Sequence, residues 1–239
     1  MKFIEYNFSI KLDDKNVIGV DEVGVGDYFG PLVSAAVFIP RENRQKLIDL
    51  GVKDSKKITD TKILEIAYKI KQLTKYAIHH LSPKGYNVLN KSYNANYLKM
   101  FTHLSSISQL QKTLSQIDFV FIDKYSNSKS IEKYFINLMK TNNWAKFPEI
   151  KGDILLAYKG ESVSLEIACA SILAREYFLN FMKKMNEQYN TIFPLGASNK
   201  VKEFAKTFFK NHPNIQKNDV CKKSFKMDLE EDTQQVTLF

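Results

Sequence analysis

The chain has 239 residues and a net charge of +9, from 35 lysines and arginines against 26 aspartates and glutamates. A hydrophobic content of 44% with 13% aromatics indicates a packed globular protein, and no apolar run nears the roughly 20 residues of a membrane span. The start, Met1 to Glu5, lacks the apolar core of a signal peptide, and two cysteines, Cys169 and Cys221, exclude a disulfide framework and a cysteine-based metal site, so a reducing cytoplasm is expected. The basic charge fits either a solvated lysine-rich surface or a polyanionic partner whose phosphates the lysines neutralise.

Ile4, Tyr6, Phe8, Ile10 and Leu12 alternate with mostly polar neighbours, the period of a half-buried strand. After a turn at Asp13 to Asn16, Val17–Val20 reads as a buried strand and Leu32–Ile39 as its neighbour, stopped by Pro40. Helices are predicted over 41–50 and 60–74, and a strand over Tyr76–Leu81 closed by Ser82-Pro83. Apolar residues from Leu98 to Leu114 recur every three or four positions, a helix over 94–116. A strand follows over 118–123, a helix near 130–141, and a strand over Ile154–Tyr158. A long helix is predicted over 162–190, whose Ala168-Cys169-Ala170-Ser171 is small enough to lie close on a sheet, and a last helix over 199–210. Interleaved strands and helices indicate an α/β or α+β layered domain.

Three of the apolar runs end in acids: Asp21-Glu22, Asp123 and Glu161. An unpaired charge at a buried strand end is costly, which suggests a cation nearby. If the runs are neighbours, four carboxylates without histidine or cysteine suit the hard ions Mg²⁺ or Mn²⁺, and two ions about 4 Å apart would serve phosphodiester hydrolysis. Crowded without metal, such acids should raise each other's pKa. The alternative is that each acid sits where its strand becomes exposed. Gly24-Val25-Gly26 lacks both the dinucleotide and P-loop signatures, but lets backbone amides approach a ligand, such as a sugar hydroxyl.

Taken in order, Gly19 to Pro31, Val52-Lys53-Asp54-Ser55-Lys56, Phe121-Ile122-Asp123, Lys159-Gly160-Glu161-Ser162 and Ala168 to Arg175 resemble type 2 ribonuclease H, the bacterial HII/HIII group. Asp27-Tyr28-Phe29-Gly30-Pro31, Glu161, the Pro83 to Asn87 stretch and Asn96 to His103 are more similar to HIII. The resemblance implies an RNase H-like fold with a mixed central β-sheet flanked by helices and a helical C-terminal part. It also implies an endonuclease that cuts the RNA strand of RNA/DNA hybrids with two metal ions, leaving a 3′-hydroxyl and a 5′-phosphate. Asp21, Glu22, Asp123 and Glu161 fall on the metal-binding catalytic acids, and Gly24, Val25 and Gly26 on the motif that reads ribose 2′-hydroxyls. Lys53, Ser55 and Lys56 fall on a hybrid-contacting loop, whose bland reading is a helix entry. Lys159 either pairs with Glu161 or touches the phosphate. His103, on the polar side of its helix, is either a surface histidine or substrate-facing.

Residues 1–16 form a short N-terminal strand or extension, too little for the substrate-binding domain that usually precedes an HIII catalytic domain, so hybrid affinity is expected from the core. Residues 17–222 form the catalytic domain and 223–239 a tail. Its end, Gln235-Val236-Thr237-Leu238-Phe239, resembles peptides that bind the bacterial sliding clamp, with Gln235, Leu238 and Phe239 as anchors; otherwise it folds back on the core. A monomer is expected. Val25 departs from the usual threonine or arginine of the glycine motif, and the junction-reading motif of HII enzymes is not visible. The alternatives are an HII-like cutter at embedded ribonucleotides, or a non-catalytic hybrid-binding or clamp-tethered protein.

Overall fold

A computed structural model describes residues 1–52 and 58–227. In chain order the strands are β1 (Phe3–Glu5), β2 (Val17–Val23), β3 (Leu32–Phe38), β4 (Lys75–Leu81), β5 (Phe119–Asp123) and β6 (Asp153–Ala157). The helices are α1 (Arg44–Asp49), α2 (Asp60–Leu73), α3 (Pro83–Asn90), α4 (Ala95–Leu110), α5 (Ser128–Ile136), α6 (Leu165–Gln188), α7 (Asn199–Asn211) and α8 (Lys217–Val220). The strands form one sheet in the order β1-β6-β5-β2-β3-β4. The β1, β6, β5 and β2 pairings are parallel, and the two pairings of β3 are antiparallel. The expected mixed sheet flanked by helices is therefore present.

The sheet is covered on both faces, which is why its central strands read as unbroken apolar runs. On one face Ile18, Val20, Ala36, Val120 and Ile122 pack against α4 and α5 residues such as Leu104, Ile107 and Phe135. On the other, Val33, Ala35 and Val37 pack against α1, α2, α6 and α7. Ala168, Cys169 and Ala170 of α6 are fully buried there, as their small size predicts. Burial pushes the Cys169 thiol far above its usual range, so it is an inert packing group.

Two expectations need correction. The alternation from Ile4 to Leu12 yields only the three-residue β1; Ile4, Tyr6, Ile10 and Leu12 still pack inward, while Phe8 is 78% exposed. Strand β2 runs past Val20 to Val23, so Asp21 and Glu22 lie within it, paired with Ala35 and Ser34 of β3. Ser82-Pro83 closes β4 as expected and also starts α3: Ser82 Oγ accepts from Gly85 N at 3.2 Å, with proline at the first helical position.

Candidate active site

Alternation along β2 sends its two acids to opposite faces. Glu22 follows Ile18 and Val20 toward α4, whereas Asp21 turns toward α6, where the Ser171 hydroxyl hydrogen-bonds its carboxylate. In the parallel β2–β5 ladder Val20 is opposite Ile122, so one residue further on Asp21 and Asp123 emerge side by side. Burial first, then the charges of Glu22 and Asp123, hold the Asp21 carboxyl well above the usual range.

Asp123 is fixed from the next strand. After β6 the chain turns through Tyr158 and Lys159, and the Gly160 N–H donates to Asp123 Oδ1 at 2.7 Å. A Cβ at Gly160 would lie 2.6 Å from Ile167 Cδ1 and 3.3 Å from Asp123 Oδ1, so a side chain there would crowd both the isoleucine tip and the carboxylate. Lys159, exposed at this turn, has left-handed φ of +55°, a strained backbone for a non-glycine residue. The same turn carries Glu161, buried at the entrance to α6.

Glu22 behaves differently from Asp21. The Lys99 Nζ lies 3.4 Å from Oε1 and His103 Nε2 lies 2.8 Å from Oε2. Burial opposes ionisation of Glu22, but the His103 hydrogen bond and charge, followed by Lys99, outweigh it and hold the carboxyl below its usual range. Mutual elevation of the acids thus appears at Asp21 and fails at Glu22. His103 is not on a polar surface: its ring is fully buried, edge-on to Tyr125, and reaches Glu22. It is a positioning residue for an acid. Lys99 was missed by sequence reasoning, although its i, i+4 spacing from His103 on α4 was the available signal.

A cleft of about 470 Å³ opens beside Asp21, Glu22 and Asp123, with Asp60, Ser171 and Arg175 on its other side. Arg175 Nε and Nη2 donate to Asp60 Oδ1 and Oδ2 at 3.0 and 2.9 Å, a bidentate pair at the start of α2. Ser171 and Arg175, four apart on α6, lie within the motif from Ala168 to Arg175 but had no assigned role. Among the described residues no three His, Cys, Asp or Glu side chains are gathered closely enough to form a ready-made ion cage.

The glycine turn follows directly on β2, which carries Asp21 and Glu22. Gly24 has φ of +92°, and a Cβ there would overlap the Pro31 carbonyl oxygen, so the turn requires glycine. Gly26 is exposed and a Cβ would meet nothing within 4 Å, so the fold leaves this backbone open. Val25 packs against the apolar cluster of Leu32, Leu81, Tyr86 and Leu98. Its side chain anchors the turn from below, which accounts for an aliphatic residue between two glycines. Lys53, Ser55 and Lys56, and Gln235, Leu238 and Phe239, lie outside the described residues.

A family model described as Ribonuclease HII matches residues 18–228. The chain belongs to the ribonuclease HII family. Ribonuclease HIII of Staphylococcus aureus strain Newman is 33% identical over 221 residues, covering 91% of this chain and 68% of that protein. Among solved structures, Bst-RNase HIII in complex with Mn²⁺ is similar with a TM-score of 0.81 and 30% identity, over 90% of this chain and 68% of that one. Aquifex aeolicus RNase H3 follows the same fold with a TM-score of 0.68 and 27% identity, over 88% of this chain and 72% of that one. Family membership makes the chain a type 2 ribonuclease H, an endonuclease that acts on RNA strands.

Proposed function

We propose that this chain hydrolyses the RNA strand of RNA/DNA hybrids with two divalent cations, Mg²⁺ or Mn²⁺, held by Asp21, Glu22, Asp123 and Glu161. The observation that carries this reading is the side-by-side placement of Asp21 and Asp123 at the carboxyl ends of β2 and β5, with Asp21 resisting ionisation. A buried and a half-buried carboxylate so placed are unfavourable alone and become favourable around a cation. The donors are all carboxylate oxygens, the set that suits hard ions, and similar Bst-RNase HIII has been solved with Mn²⁺. When bound, such ions would lower the pKa of an attacking water and stabilise the leaving oxygen.

The chain's own groups set the geometry. Ser171 orients Asp21, the Gly160 amide orients Asp123, and Lys99 with His103 orients Glu22. The Gly24–Gly26 turn, with its backbone open at Gly26, meets ribose 2′-hydroxyls, the groups that distinguish RNA from DNA. Lys159 and the loop of Lys53, Ser55 and Lys56 supply phosphate contacts. A bond forms from water oxygen to phosphorus and the bond from phosphorus to O3′ breaks, leaving a 3′-hydroxyl and a 5′-phosphate. Catalysis needs no protein nucleophile.

Incubation with Mg²⁺ or Mn²⁺ and three substrates tests this: a full hybrid, a duplex with one embedded ribonucleotide, and duplex DNA. Cleavage of the hybrid alone, abolished by Asp123→Asn, is expected. Equal cleavage of the single-ribonucleotide duplex overturns the HIII-like specificity, and cleavage of none overturns the enzymatic reading. The end peptide Gln235-Val236-Thr237-Leu238-Phe239 supports tethering to a sliding clamp, with two apolar anchors closing a polar tail. Loss of clamp binding on Leu238→Ala with Phe239→Ala is expected.

A further inference from the structure

Lys222 is completely buried, yet it ends in an ammonium, one of the costliest groups to remove from water. Its Nζ donates to two carbonyls of one loop, Asp27 O at 2.8 Å and Gly30 O at 2.7 Å. Its backbone N–H donates to the carbonyl between them, Tyr28 O, at 2.8 Å. The neighbouring backbone continues the seam: Cys221 bridges to Phe29, and Gly30 N donates to Val220 O at 3.0 Å. From outside, Asn87 of α3 grips the same segment, its Nδ2 donating to Cys221 O and its Oδ1 accepting from Lys223 N, both at 2.8 Å. The gripped loop follows directly from Gly24-Val25-Gly26, and Asp27 N donates back to Gly24 O at 3.4 Å. Either protonation form of the amine can donate both side-chain bonds.

We propose that Lys222 is a positioning residue for hybrid recognition: it fixes the loop Asp27 to Gly30, and through it the Gly24–Gly26 backbone that meets ribose. Residues 220–223, far from the acids in sequence, thereby belong to the substrate-reading apparatus. The proposal rests on the reading of Gly24–Gly26 as the ribose-facing turn.

Lys222→Met keeps the length and burial of the side chain and removes both donors; Asn87→Ala loosens the same segment from a half-buried site and serves where the first variant fails to fold. Both are compared with wild type in steady-state cleavage, in hybrid and duplex-DNA binding by fluorescence anisotropy, in Mn²⁺ affinity by calorimetry, and in amide exchange at Tyr28 and Gly30. Expected are faster exchange at those amides, KM and dissociation constant for hybrid raised about tenfold, and kcat and Mn²⁺ affinity within about twofold. Duplex-DNA affinity should be unchanged, which general loss of structure would not spare. Unchanged exchange overturns the proposal, and so does faster exchange with unchanged hybrid affinity. If wild type cleaves no hybrid, the functional reading falls, while exchange and binding still decide the role of Lys222.

Discussion

His103 Nε2 sits 2.8 Å from Glu22 Oε2, so a fully buried imidazole on α4 holds an acid of β2 on the sheet face opposite Asp21. Removing the ring leaves a buried carboxylate with Lys99 as its remaining cationic neighbour, 3.4 Å away. His103→Ala should therefore lower stability by about 2–4 kcal/mol, through the cavity and the lost partner. Cleavage should fall roughly 10–100-fold, the usual loss when an outer group that orients a metal ligand is removed. His103→Gln, which can still donate to Glu22, should recover part of both in denaturation and hybrid-cleavage assays.

Asp21 gives the opposite sign. Its carboxyl is raised in the folded protein, chiefly by burial, so its favourable contribution is complete below the unfolded value near 3.9 and is lost as pH rises toward its folded value. In metal-free buffer, Asp21→Asn should be more stable than wild type at neutral pH, by on the order of 2 kcal/mol, with the advantage shrinking as pH falls toward 4. The same variant should lose hybrid cleavage. Thermal unfolding in EDTA across pH 4 to 8 checks the first part, and an advantage that does not grow with pH would refute it.

Gly160 couples a turn to an acid. The Cβ of Gly160→Ala would press on Ile167 Cδ1 and Asp123 Oδ1, and the Gly160 amide would swing away from the carboxylate it now holds. A loss of about 1–3 kcal/mol in stability is expected, with a larger fall in kcat than in hybrid affinity. Equal changes in kcat and KM would mean that the turn serves the fold rather than Asp123.

The parts of this molecule legible in the sequence are those where residue type and period agree. The apolar runs of β2, β3, β5 and β6 and the stripes of α2, α4 and α6 have a single placement that buries them. The acids at Asp21, Glu22, Asp123 and Glu161 stood out because they interrupt such runs. Period two also implied that Asp21 and Glu22 face apart, although their adjacency suggested one cluster. His103 was hidden because a polar residue on a helix reads as surface until its buried carboxylate partner is known. The N-terminal alternation overstated a strand because Phe8, in phase with it, points to solvent. Lys222 could not be found from sequence: its acceptors are carbonyls almost 200 positions away, and backbone acceptors leave no trace in residue type.

Lys222 should also leave a mark on stability. Burial pulls its ammonium from the ordinary 10.5 down to about 7, so below pH 7 both folded and unfolded chains carry the proton and the full burial cost is felt. Above pH 7 the folded chain gives up a proton that the unfolded chain retains, and stability from this group rises with pH. Cys221, whose thiol is raised by burial, works in the opposite direction only once the unfolded thiol ionises near pH 8.5. Between pH 7 and about 8.5 wild type should accordingly gain roughly 1–2 kcal/mol relative to Lys222→Met, at up to 1.4 kcal/mol per pH unit. Paired urea denaturation curves of the metal-free proteins at pH 7.0, 7.75 and 8.5 measure that difference. A constant difference across the three would mean that the amine is solvated or fully paired, and that its burial carries no charge penalty.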